Sequence, residues 1–322
     1  MTKRIILGLL VLSVAVLSAA IIIHNNHEAS VLRSQNLMPL PAGYTEEAFE
    51  QGTLEVLSYK TQMLGTDIVI KQHAMVYLPE NYDPDKKYDV MYLIHGRGGD
   101  FTTWLGKPAN PRAFKNVLDH MIQDRIIDPM IVITPGLNYL YDNDDIIMDG
   151  ISHEVAEELM PAAESKYSTY ASGTDANSFI HSREHRIVAG FSMGGSATWH
   201  IMKDHIDYFK YYIPMSMAMY YDNNGYSENK SIDSSEDILN AIEQSGYGPE
   251  DYVVYAATGS EDFKATATGM QVYDLTNGVS FNYTDTDFKR GNITFKLWPG
   301  RWHRFTQSIP YIYNALMDFY DR

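Results

Sequence analysis

The segment Arg186-Ile187-Val188-Ala189 runs into Gly190-Phe191-Ser192-Met193-Gly194, and a helix-forming stretch from Met193 to Asp204 leaves it. A buried strand, a glycine-flanked serine and a helix, in that order, hold a serine on a sharp, strained turn with its hydroxyl exposed above a sheet. The glycines answer a steric need, because backbone segments in such a turn come so close that side chains would clash. The pentapeptide alone is weak evidence. Its weight depends on whether partner residues follow in the right order.

The rest of the pattern fits a sheet for that turn to sit on. Thr53 to Tyr59 and Ile68 to Leu78 read as two antiparallel strands. Val90 to Ile94, Met130 to Ile133, Tyr211 to Met215, Tyr252 to Ala256 and Ile293 to Leu297 read as short buried strands. Between the first two, Phe114, Val117, Leu118, Met121 and Ile122 recur at helical spacing. Ile151, Val155 and Leu159 form a second helical stripe, and a terminal helix carries Ile309, Ile312, Leu316 and Tyr320. A polar insertion from Tyr220 to Glu236 precedes a short helix near Ile238 to Ile242. Strands alternating with helices predict an α/β fold: a mostly parallel central sheet, antiparallel at its N-terminal strands, with helices on both faces. One domain is expected over residues 51–322, with residues 24–50 as a polar lead-in.

A serine hydroxyl needs a base to take its proton, and the base needs an orienting acid. With the serine at such an elbow the expected order is serine, acid, histidine. Of 11 histidines, only His200, His205 and His303 follow Ser192. His200 and His205 lie on or at the end of the helix leaving the turn, where neither can easily turn back. His303 lies between the last strand and the terminal helix, where a base reaches over the sheet edge, so His303 is the expected base. The acid belongs after the strand ending at Ala256, where Glu261 and Asp262 both qualify. The oxyanion that forms on attack needs two backbone N–H donors. Met193 offers one, and the glycine loop His95-Gly96-Arg97-Gly98-Gly99 offers the other through Arg97 or Gly98. His95 itself reads as a brace for that loop.

Composition excludes several alternatives. The formal net charge is −16, which argues against a nucleic-acid partner. There is no cysteine, which removes disulfides, thiolate catalysis and cysteine-ligated zinc. Lys3 and Arg4 precede a run of 19 uncharged residues from Ile5 to Ile23. Residues 1–23 therefore read as a signal peptide or a membrane anchor, which places the body of the protein outside the cytoplasm. The membrane is expected to be touched only through that segment, if it is not cleaved. His181-Ser182-Arg183-Glu184-His185 matches H-x-x-E-H, but as a polar lead-in to a strand it is not expected to bind zinc. The acidic residues Asp142, Asp144, Asp145 and Asp149 lack the spacing and glycine of a calcium loop and read as a solvated loop. No metal or organic cofactor is expected. Trp104, Tyr141, Trp298 and Trp302 are candidates for an aromatic substrate rim.

His95 to Gly99, Met130 to Pro135, Arg183 to Arg186 leading into Gly190 to Gly195, Gly259 to Asp262, and Trp302-His303 together resemble the putative-esterase family of α/β hydrolases. The nearest in character are the feruloyl and acetylxylan esterases of carbohydrate esterase family 1. The resemblance extends from about residue 52 onward and implies Asp262, rather than Glu261, as the acid. It further implies an exported serine carboxylesterase acting on acyl esters of cell-wall polysaccharides, with a carbohydrate ester as the substrate partner. Two alternatives stand beside it: an acyltransferase acting on envelope glycolipids, and a non-catalytic carbohydrate-binding protein of the same fold.

Overall fold

The computed structural model describes residues 37–63, 66–137, 144–220, 228–285 and 288–321. The N-terminal segment expected to direct export lies outside them, as does Tyr141. Strands β1 (Thr53–Gln62) and β2 (Val69–Leu78) form an antiparallel hairpin. Next come β3 (Asp89–Ile94), a small hairpin of β4 (Gly106–Lys107) and β5 (Asn110–Pro111), helix α1 (Ala113–Gln123) and β6 (Met130–Pro135). Helix α2 (Asp144–His153) continues through a π-helical turn, Glu154–Leu159, into α3 (Met160–Glu164). Helix α4 (Ala176–His181) precedes β7 (Arg186–Phe191) and α5 (Met193–Asp204). The chain ends with β8 (Tyr211–Met215), α6 (Glu228–Ser245), β9 (Val253–Gly259), α7 (Ala265–Leu275), β10 (Ile293–Trp298) and α8 (Ile309–Tyr320).

Eight of these strands make one sheet in the order β1-β2-β6-β3-β7-β8-β9-β10. The β1–β2 and β2–β6 pairs are antiparallel, and β6 onward is parallel. Period-two alternation sorts the side chains onto two cores. In β3, Val90, Tyr92 and Ile94 join one core, with residues of α2, α5, α6 and α7, while Met91 and Leu93 join the other, with α1 and α8. The expected two-faced sheet is what forms. From β3 the chain steps to β6 on one side, then returns past β3 to β7 on the other. That reversal opens a crevice at the carboxyl ends of the strands, where open α/β sheets bind ligands.

Three sequence expectations change. Residues 37–50 are no loose lead-in: Leu37, Tyr44 and Ala48 are buried, and Asn314 of α8 exchanges two 2.7 Å hydrogen bonds with the Met38 backbone. The short helix near Ile238 to Ile242 is the middle of the 18-residue α6, whose N-terminal part is too polar to show an apolar stripe. Asp144 and Asp145, read as solvated loop, open α2. Among the described residues, no helix is long and apolar enough to cross a membrane.

Candidate active site

Register brings the site together. Ile94 at the end of β3 pairs with Gly190 near the end of β7, so the glycine loop and the serine turn leave the sheet side by side. Gly259 at the end of β9 pairs with Trp298 at the end of β10, so the acidic turn and the histidine loop do the same.

Ser192 sits at φ 59°, ψ −122°, a conformation that costs a non-glycine residue about 1–3 kcal/mol. The turn is held by a 2.9 Å hydrogen bond from the Ser192 N–H to the Met215 carbonyl. A side chain at Gly190 would sit 2.1 Å from the Gly194 carbonyl oxygen, and one at Gly194 would sit 2.4 Å from that of Ile94. Both elbow glycines are therefore required by contact. Met193 is the first residue of α5, so its N–H has no partner within the helix.

His303 Nε2 lies 2.8 Å from Ser192 Oγ, and His303 Nδ1 lies 2.9 and 3.0 Å from the two Asp262 carboxylate oxygens. A carboxylate only accepts, so Nδ1 carries the proton and Nε2 is left to accept from the serine hydroxyl. The Asp262 side chain is fully buried and also accepts the Lys264 N–H at 2.8 Å. Glu261 is exposed, and its Oε1 accepts from Ser260 Oγ at 3.2 Å. The two acids are equally eligible by chain position alone; the carboxylate beside His303 belongs to Asp262. The two loops are stitched together by Ser260 N–H to Trp298 O at 2.8 Å and Glu261 N–H to Arg301 O at 3.0 Å. A side chain at Gly259 would lie 2.0 Å from the Arg301 carbonyl oxygen, so glycine is what lets them meet.

The loop after β3 passes the serine at Gly96, where an added Cβ would stand 3.1 Å from Ser192 Cβ. A 3.0 Å bond from Gly99 N–H to Gly96 O closes a tight turn, with Gly98 at φ 77°. Gly98 faces open space, so its glycine serves the turn, and Arg97 carries the first N–H beyond the contact. Buried His95 donates from Nδ1 to the Gly96 carbonyl at 2.8 Å, and burial holds its pKa below the ordinary value. It braces the loop as a neutral ring.

Of the expected aromatic rim, Trp302 is 55% exposed beside His303. Trp104 and Trp298 belong to the core instead. Trp104 is 0% exposed, donates to the Ile94 carbonyl at 3.2 Å and packs against Phe114 and Phe305. Trp298, the last residue of β10, is buried against Tyr311. Phe263, which sequence reading passed over, is 69% exposed with its ring 4.5 Å from that of His303. Its only sequence signal was its place next to Asp262. His181 and His185 do not converge: His181 Nδ1 donates to Asn177 O, and His185 pairs with Asp89 and stacks on Tyr170.

A mostly parallel two-faced sheet with its strand–serine–helix turn at the crevice is the architecture of an α/β hydrolase. Residues 67–281 match the family described as Putative esterase. Endo-1,4-beta-xylanase Y of Acetivibrio thermocellus is 35% identical over 282 residues, 88% of this chain and 24% of that protein. An endo-1,4-beta-xylanase/feruloyl esterase of Xylanibacter ruminicola is 29% identical over 181 residues, 52% of this chain and 22% of that protein. The chain thus spans about a quarter of the length of these curated relatives. Among solved structures, a serine-to-alanine mutant of the feruloyl esterase module from Clostridium thermocellum, complexed with sinapinate, superposes with a TM-score of 0.76 at 34% identity. That match covers 88% of this chain and 93% of the module. A CE1 ferulic acid esterase from Anaeromyces mucronatus shares the fold, with a TM-score of 0.61 at 17% identity over 87% of this chain and 97% of its own. The chain belongs to the Putative esterase family.

Proposed function

We propose that this esterase removes feruloyl or acetyl groups from plant cell-wall polysaccharides, working outside the cell. The observation that carries the chemistry is the unbroken hydrogen-bonded line from Ser192 through His303 to buried Asp262. Ser192 Oγ attacks the ester carbonyl carbon as His303 Nε2 takes its proton. Asp262 holds the ring in the Nδ1–H tautomer and stabilises the imidazolium. The N–H groups of Met193 and Arg97 receive the oxyanion. Collapse of the tetrahedral adduct expels the sugar alcohol, protonated by His303, and leaves an acyl-serine. Water, deprotonated by the same ring, then releases the acid.

Exposed Phe263 and Trp302 beside His303 give a planar aromatic acyl group two surfaces to lie against. The relatives named for feruloyl esterase activity support that choice of acyl group. Export is supported by the basic and apolar start of the sequence. The test is a turnover panel of methyl ferulate, acetylated xylan and a nitrophenyl acetate. A preference for methyl ferulate is expected, and turnover of the simple acetate alone would refute the polysaccharide-ester reading.

A further inference from the structure

Two turns along α5 from the serine, on the side packed against α2, stands a cluster that the ester chemistry does not use. His200 and Asp204 are four residues apart and share one face of α5, and Asp149 reaches them from α2. One ligand atom from each residue lies within 4.8 Å of the other two. His200 is 1% exposed, yet neither ring nitrogen has a hydrogen-bond partner among the described residues. Buried imidazoles in that state are rare, because the lost hydration is left uncompensated. Its Nδ1 faces Asp149 Oδ1 at 3.7 Å, too far for a hydrogen bond. Two ligands on a tetrahedral ion with bonds of about 2.0–2.1 Å are separated by about 3.3 Å. The pair is therefore spaced nearer to a shared ion than to a direct bond.

We propose that Asp149, His200 and Asp204 form a divalent-metal site that takes a zinc-like ion and pins α2 to α5. One imidazole nitrogen with two carboxylates favours a borderline ion over calcium or magnesium, which prefer all-oxygen shells. The two carboxylates are exposed, so an ion enters from solvent and completes its shell with water. Lys203 Nζ now sits 2.9 Å from Asp204 Oδ1 and is the cation an entering ion must displace. Ser192 lies about 12 Å back along the helix, at 1.5 Å per residue, so the ion is structural and takes no part in ester cleavage.

The test is zinc titration of the EDTA-treated full chain, followed by calorimetry and thermal melting. One zinc per chain with a raised Tm is expected. Asp149→Asn and Asp204→Asn, both on the surface and compatible with folding, should each weaken binding by at least about tenfold. Lys203→Met should tighten it by removing the competing cation. The proposal is overturned if no zinc binds, if binding survives both asparagine variants, or if Lys203→Met leaves affinity unchanged. Those results would leave His200 and Asp149 as a simple polar pair.

Discussion

Ser192 combines a hydroxyl within hydrogen-bond reach of His303 and a backbone conformation suited to glycine. They can be separated. Ser192→Ala and Ser192→Gly should both lose at least about 10⁴-fold in turnover. Ser192→Gly should be the more stable of the two by about 1 kcal/mol, because only glycine relieves the positive φ. Thermal melts of the two variants check this, and equal stability would contradict the strain. At the acidic turn, Asp262→Asn should cost about 10³–10⁴-fold in kcat, whereas Glu261→Gln should leave it within about twofold. The reverse order would reassign the acid. That Ser192 and His303 lie within hydrogen-bond distance is legible in the sequence, because chain order and elimination leave little choice. Which acid lies beside His303 is not, without the resemblance, since adjacent acids on one turn differ only in which way they point. Trp104, expected at the rim, is buried, and Phe263, which carries no sequence signal of its own, is exposed, for a related reason: burial of an aromatic ring depends on strands far away in sequence. One sits beneath the β3 carboxyl end, the other on an exposed turn.

Among the elements, the turn from α2 to α3 shows how a pattern can be right while its geometry is hidden. Ile151, Val155 and Leu159 are all buried although they recur every four residues, a spacing that drifts round an α-helix. The wider π-helical turn at Glu154–Leu159 cancels that drift. It also places Glu154 in the interior, where it accepts the Tyr59 hydroxyl at 2.5 Å. Burial, with Glu158 nearby, raises the Glu154 pKa from 4.5 to about 7. Between those values the folded chain holds a proton that the unfolded chain has released, so stability falls as pH rises through that window. The full effect is about 3 kcal/mol, reached above pH ~7. Glu154→Gln keeps an acceptor for Tyr59 and should abolish this slope, raising stability near pH ~8 and changing little near pH ~4.5. Urea unfolding at both pH values measures it; an equal gain at both would show that ionisation is not the cause.

For the whole molecule, strand order was the part least readable in advance. Alternating segments announce a two-faced sheet, but only long-range pairing places β6 and β7 on opposite sides of β3 and so opens the crevice. A buried ionic hub at the other end of the sheet ties these layers together. Arg186 at the start of β7 bonds both oxygens of Glu164 at 2.7 and 2.9 Å, and Tyr92 of β3 and Thr169 add to the same carboxylate. Arg186→Met should destabilise the fold by about 3–5 kcal/mol by leaving that charge unpaired, with turnover by the surviving folded fraction unchanged. Denaturant titration tests it, and a loss within about 1 kcal/mol would contradict the hub.

Ester cleavage through an acyl group on Ser192 is tested most directly by acid-quenching the enzyme during turnover of methyl ferulate and mapping the adduct by peptide mass spectrometry. A feruloyl group on the peptide carrying Ser192, absent in Ser192→Ala, is the expected result. An acyl group on another residue, or undiminished hydrolysis by Ser192→Ala, would contradict it.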